Sequence, residues 1–359
     1  MELKRLSVLD SLRGLAAIGI AFFWHYQHFN PQNGYPFSGK AYWFYNYGWS
    51  LVDFFFVLSG FIFCYVYKKR IKNHELSFKK YAILRFSRLY PLLFITLIFV
   101  TTIQSLRMLL IHNFFVYPNN DVYHFLMNLF CIQSGWFESG FSFNGPTWSI
   151  SCEIVAYVLF YIFIYKLHEN RKYIFAYIGM VFLGLFIVKT GINYPLFNGN
   201  MERVFIGFFI GCFVYEFNNF INVSKYKNKI ILLCTAILLG VTISSSIWGN
   251  VILGNWTVVY TVLIYPLIIL VALNVSVVNS ILSIRPISYL GDLSYSIYLW
   301  HFPVQLSINT IDKIFNLNFN YSSKHMFFTF VFITIIVSIL SYELIEKTVN
   351  KNLRKKLLK

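Results

Sequence analysis

Ten stretches of apolar residues, each long enough to cross a bilayer as a helix, dominate this sequence. They fall at roughly 9–29, 49–67, 89–112, 147–166, 173–189, 203–219, 230–247, 256–277, 288–308 and 325–345. A crossing helix needs about 20 such residues. Hydrocarbon offers no partner for a backbone N–H or C=O, so each span must satisfy its own, which a helix does. A water-soluble core could not absorb these runs. Of the 359 residues 57% are apolar and only 12% charged, about half the charged share of a soluble domain. The expected fold is all-α: a polytopic integral membrane helical bundle of about ten transmembrane helices. Residues 124–137 are apolar but too short to cross, and read as a re-entrant or interfacial segment. The aromatic-rich residues 35–49 read as an interfacial loop.

A net charge of +16 would ordinarily suggest nucleic acid, but the placement of the charge points to the bilayer. With the N-terminus in the cytoplasm, the inner segments hold 24 of the 30 Lys and Arg residues. Lys40, Arg107, Lys189, Arg203, Lys313 and Lys324 remain for the other side. This bias follows the positive-inside rule, places both termini in the cytoplasm with a basic tail over 347–359, and makes the cell membrane the expected location. The five Cys residues form no C-x-x-C pair, so neither a disulfide framework nor a metal site is expected. The first run carries Arg13 and no small-x-small cleavage site, and reads as a retained span rather than a signal peptide. No loop is long enough for an appended soluble domain, so 1–359 reads as one membrane domain.

Ionisable groups inside a span are costly and mark functional sites by default. In the first span Arg13 lies near the cytoplasmic end and His25 is twelve residues on, about 18 Å along a helix. His25 and His28 either shuttle protons near neutral pH or bond partners at the outer interface. In the second span Ser59 and Gly60 suit close helix packing, and Asp53 either forms a salt bridge or meets substrate. Arg85 and Arg88 share one helix face at i and i+3. They offer a fork suited to phosphate or supply ordinary inner-side charge. Glu153 lies in the fourth span with no basic residue of its own, so a partner on another helix is implied, Arg203 being one candidate. Gly207 and Gly211 form a small-xxx-small pair that predicts helix packing. His301, in the ninth span, either lines the cavity of His25 or is a structural histidine.

Taken in order, LDSLRGLAA followed by a His, DFFFVLSGFI, RFSRLYP, TWSISCEIVAY, LGDLSYSIYLWHFPV and SYELIEK resemble the membrane acyltransferase type 3 family. The likeness runs from Leu9 to about Lys347. It implies transfer of an acyl group, usually acetyl, onto carbohydrates and other extracytoplasmic acceptors. By the same resemblance Arg13 and His25 match the family's basic-residue-to-histidine pair, with the histidine essential for transfer. Arg85 and Arg88 match the RxxR pair associated with acyl-CoA, Glu153 the acid of WSxSxE, and His301 the histidine of YLWH. His28, Asp53, Trp148, Arg203 and His301 are expected to line the site. Some members carry a fused SGNH-type hydrolase domain. This chain ends twelve residues after Lys347 and resembles the stand-alone class. Two departures stand out. Thr348 replaces a common Pro, and eleven residues rather than ten separate Arg13 from His25. Twelve steps turn His25 about 120° from Arg13. Either a π-bulge absorbs the extra residue, or His28 takes the chemical role.

The expected activity is O-acyl transfer from cytoplasmic acetyl-CoA to a hydroxyl of an extracytoplasmic carbohydrate. Arg85, Arg88 and Arg13 would hold the phosphates, and His25 would act as base. Acetyl-CoA, the carbohydrate and the lipid bilayer are the expected partners, with no nucleic acid and no metal. A small-solute or proton-coupled transporter is the alternative, though no inverted repeat is visible. A lipid-linked sugar transferase would want acidic metal ligands in loops that hold few acids.

Overall fold

The computed structural model describes residues 5–137, 140–247 and 257–357. Helices carry the fold, and among the described residues β-structure is limited to two isolated bridges. The principal helices are α1 (Ser7–Ile18), α2 (Leu51–Phe63), α3 (Phe78–Ile111), α4 (Val122–Leu129), α5 (Trp148–Leu167), α6 (Tyr173–Thr190) and α7 (Gly199–Val223). They continue with α8 (Lys227–Ile247), α9 (Tyr265–Asn274), α10 (Ser276–Leu282), α11 (Arg285–Phe315), α12 (Lys324–Ser341) and α13 (Thr348–Leu357). The chain is an all-α polytopic bundle.

By length and apolarity, seven continuous helical segments among the described residues can cross a membrane. The count reaches eight with the segment Tyr260–Asn274 and α10, which break by 92° at Val275. Two expected spans fall outside this count. One, 230–247, coincides with α8, and the residues that follow it, 248–256, lie outside the described residues. The other coincides with α11, 31 residues long, which is too polar to qualify on apolarity alone. More than half of α11 is buried by neighbouring helices, so its serines, His301, Gln305 and Asn309 face protein rather than lipid, the arrangement expected of polar residues at membrane depth. Elsewhere α3 begins eleven residues before the expected 89, capped by the Ser77 hydroxyl, which accepts from the Lys80 amide. Arg85 and Arg88 therefore sit on a helix wall, not in a loop. Residues 124–137 do not cross: α4 is eight residues long, and the chain kinks at Ser134 and Gly135. Within 35–49, expected as loop, a short helix (Tyr42–Tyr47) leads into the second span.

Two helix seams organise the bundle, α2 against α7 and α1 against α11. Both depend on glycine. A Cβ at Gly60 would overlap the Phe208 carbonyl oxygen, and one at Gly211 would overlap that of Val57. In the second seam a Cβ at Gly291 would overlap the Asp10 carbonyl oxygen, while one at Gly14 would press on Leu290. Close backbone approach of this kind is what small residues provide between helices in lipid, as the Gly60 and Gly207/Gly211 spacing predicts. Gly211→Ala is therefore expected to destabilise the protein by about 1–3 kcal/mol through overpacking. A thermal-unfolding scan in detergent would show the loss, whereas Gly240→Ala, where a Cβ meets nothing, should leave the transition in place.

Candidate active site

The first span does not continue as a regular helix to its histidines. After Ile18 it widens into a π-helical turn (Gly19–Phe23), then tightens into a 3₁₀ segment (Trp24–Phe29) that ends at Asn30 in the left-handed region. The π turn absorbs the additional residue between Arg13 and His25. The 3₁₀ turn has a consequence of its own. Side chains at i and i+3 eclipse in such a helix, and the rings of His25 and His28 accordingly lie 4.9 Å apart with planes 18° from parallel.

His25 is turned into the bundle, toward α11. Its Nδ1 lies 2.7 Å from Nε2 of His301. The two ring planes are within 7° and the centroids 4.8 Å apart, so the rings meet edge to edge. Nδ1 of His301 in turn lies 3.3 Å from the Ile297 carbonyl oxygen, one turn back. Gln305 ties the group together: its Nε2 donates to the His25 carbonyl at 2.8 Å, and its Oε1 accepts from Nδ1 of His28 at 3.3 Å. Pro303 shapes the same stretch. It has no N–H to give the Leu299 carbonyl four residues earlier, and the Asn144 amide donates to that oxygen instead, at 3.0 Å.

A second group lies beyond Tyr298, one turn from His301. Tyr298 donates to the Pro146 carbonyl at 2.7 Å and meets the Ser149 hydroxyl at 3.0 Å. It also lines a cavity of about 100 Å³ with Arg13, Arg85, Arg88, Glu153 and Tyr157. Arg85 packs against the stacked rings of Phe63 and Tyr157, with centroids 4.6 and 4.8 Å away, and donates to the Tyr157 hydroxyl at 3.3 Å. Its Nε is buried without a partner. Among the described residues neither Arg13 nor Arg88 makes a side-chain hydrogen bond or ion pair. Three guanidinium groups thus share this small space with one carboxylate, an arrangement suited to an anionic ligand. His25 does not line this cavity, whereas Tyr298, whose ring packs 5.9 Å from that of His301, does.

Arg203 belongs to a third group and is not the partner of Glu153. It binds Asp53 at 2.7 Å, donates to the Trp49 carbonyl at 3.0 Å, and packs on the rings of Trp49 and Trp148. Asp53 is fully buried, so the nearest cation at its own depth claims it. Glu153 instead lines the cavity with the arginines, within electrostatic reach of Arg13 and Arg85.

Several neighbours escaped the sequence analysis. Gln305 and Tyr298 belong to the same helix as His301, at four and three residues' distance, and only the fold shows that they face inward. Glu346 had a visible signal, one of two acids in SYELIEK, at the end of the last apolar run. A π-helical turn (Tyr342–Lys347) brings it to the Ser296 hydroxyl, within electrostatic reach of Arg88 and Arg13.

The family model described as an acyltransferase domain matches residues 6–343. The chain belongs to the membrane acyltransferase type 3 family. Among curated relatives of this acyltransferase are the peptidoglycan O-acetyltransferase OatA of Listeria monocytogenes and YrhL of Bacillus subtilis, the latter named as a candidate enzyme of the same kind. OatA is 24% identical over 383 residues, covering 97% of this chain and 56% of the relative. YrhL is 26% identical over 375 residues, covering 95% and 54%. The acyltransferase chain thus spans about half the length of these relatives. No solved structure matches it at a significant level.

Proposed function

We propose that this protein transfers an acetyl group from cytoplasmic acetyl-CoA, across the bilayer, to a hydroxyl of a cell-wall or surface glycan. One observation carries the reading: an arginine-rich cavity and a hydrogen-bonded imidazole pair lie in one bundle, a single helical turn apart on α11. The arginines suit the donor's phosphates, and the imidazole suits removal of a hydroxyl proton. The basic residues clustered in 68–88 and 347–359 support a cytoplasmic location for the arginine end and for both termini. The names of the relatives support a glycan acceptor and an acetyl group.

In the proposed reaction acetyl-CoA enters at the end of the bundle bearing Arg88, and Arg85, Arg88 and Arg13 hold its phosphates. Glu153 balances their charge and keeps the guanidinium groups apart. The thioester points past Tyr298 toward His25, and the acceptor hydroxyl arrives from the opposite end. His25 takes the hydroxyl proton as the oxygen attacks the thioester carbonyl. Tyr298 lines the cavity and packs against the ring of His301, so movement of its side chain admits the acyl group.

Arg85→Ala and Arg88→Ala are expected to raise KM for acetyl-CoA by about ten- to hundredfold, the loss of one or two charge-assisted hydrogen bonds. Purified protein assayed over a range of donor concentrations would show it. The reading as a whole is tested by measuring ester-linked acetate on wall and surface glycans of the producing cells with and without the gene. A fall in that acetate supports it, and unchanged acetate contradicts it.

A further inference from the structure

The hydrogen bonds around His25 decide which of its nitrogens reacts. A carbonyl oxygen only accepts, so Nδ1 of His301, 3.3 Å from the Ile297 carbonyl, carries a proton. A neutral imidazole carries one proton, and Nε2 of His301 is then a bare acceptor. Nδ1 of His25 lies 2.7 Å from it and must donate. Nδ1 of a neutral His25 therefore holds the only ring proton, and its Nε2 keeps a lone pair. Among the described residues that Nε2 has no hydrogen-bond partner, and no carboxylate lies within ion-pair distance of either ring.

We infer that His301 is a positioning residue, a neutral imidazole that fixes the tautomer of His25 and leaves Nε2 of His25 as the nitrogen that accepts the acceptor's proton. This inference rests on the reading of His25 as the base. It assigns to an imidazole and a helix carbonyl the orienting work that a buried carboxylate does in other triads. The difference has a physical reason. A carboxylate at this depth would be a charge to compensate throughout the cycle, whereas two neutral rings stay neutral until the substrate proton arrives. Gln305 completes the arrangement by holding the His25 carbonyl, and the 3₁₀ turn fixes the direction of the ring.

The step balances. The acceptor O–H bond breaks and its proton goes to Nε2 of His25. The oxygen forms the new C–O bond, and the thioester C–S bond breaks. The positive charge on His25 is shared with His301 through the Nδ1–H···Nε2 bond, and the proton then passes from Nε2 of His25 to the departing thiolate. His28, held by Gln305 from the other side, has no second imidazole hydrogen-bonded to it and takes no part in this transfer.

The test begins with the tautomer itself. Protein labelled with ¹⁵N-histidine, reconstituted in lipid and studied by solid-state NMR, should show His25 protonated at Nδ1 and bare at Nε2, with His25→Gln and His301→Gln spectra identifying the two rings. The reverse tautomer in the wild-type protein overturns the inference, and this readout needs no variant to retain activity. Kinetics supply a second arm. His301→Gln keeps an acceptor on α11 and should retain kcat within about tenfold, whereas His301→Leu should lose about 10²-fold or more in kcat with KM for acetyl-CoA little changed. Equal losses in the two variants would reduce His301 to packing and contradict the proposal. Full activity in His25→Gln would instead refute the assignment of His25 as base, a separate failure.

Discussion

Replacing His25 by alanine is expected to lower acetyl transfer by about 10²–10⁴-fold, the range lost when a positioned general base is removed, while the protein still inserts and folds. The separation of the two effects follows from where His25 lies. It is half-buried on a 3₁₀ turn and bonded by its side chain only to another imidazole, so its removal leaves no buried charge uncompensated. The seams that hold the first span, at Gly14 and Gly291, lie near the opposite end of that span. His28→Ala should cost less. His28 bonds only the Gln305 amide and packs edge-on to Tyr117 and Phe302, so it supports the site without taking the proton. Initial rates of labelled acetate transfer by the two purified variants make the comparison. A dead His28→Ala beside a near-normal His25→Ala would move the reacting group one turn along.

The second large effect concerns stability. Asp53 is fully buried, bonded to Arg203 at 2.7 Å, with its other oxygen unpartnered. Arg203→Ala would leave that carboxylate buried without its cation. Breaking a buried pair from one side costs about 3–5 kcal/mol. Arg203→Gln combined with Asp53→Asn removes both charges and keeps hydrogen-bonding groups, so the double variant should regain most of the loss. Unfolding of the three proteins in the same detergent, followed by tryptophan fluorescence, measures it. A single variant as stable as the wild type would mean that Asp53 is neutral and that the pair contributes little.

How much of this was legible beforehand depends on whether the signal was local. The spans were, because crossing a bilayer needs a run of apolar residues whatever the tertiary context. The Gly60 and Gly211 packing positions were, because small residues at that spacing have few other uses in lipid. The 288–308 span was legible as a crossing helix, but its extension to the 31 residues of α11 and the burial of its polar side chains among its neighbours were not. The eleven-residue gap between Arg13 and His25 left a π turn and a change of histidine both open, and the chain has the π turn, whereas the 3₁₀ segment that stacks His28 on His25 has no sequence mark. Pairings were the least legible. Glu153 demanded a cation, and Arg203 was the visible choice at that end of the span; Asp53 holds it instead, while Glu153 faces arginines supplied by α1 and α3. Which cation meets which carboxylate is decided by helix rotation, and rotation is set by packing between spans distant in sequence.

Sidedness is the property on which the whole account turns. Purified protein can be reconstituted into sealed liposomes with labelled acetyl-CoA enclosed and a soluble muramyl glycan oligomer outside, the orientation being determined by protease cleavage at the basic tail. The account predicts labelled O-acetyl glycan outside, formed by the wild-type protein and not by His25→Ala, with no labelled acetyl-CoA escaping. Product formed only when donor and acceptor share one compartment would contradict it, as would release of intact donor without any acetylated product.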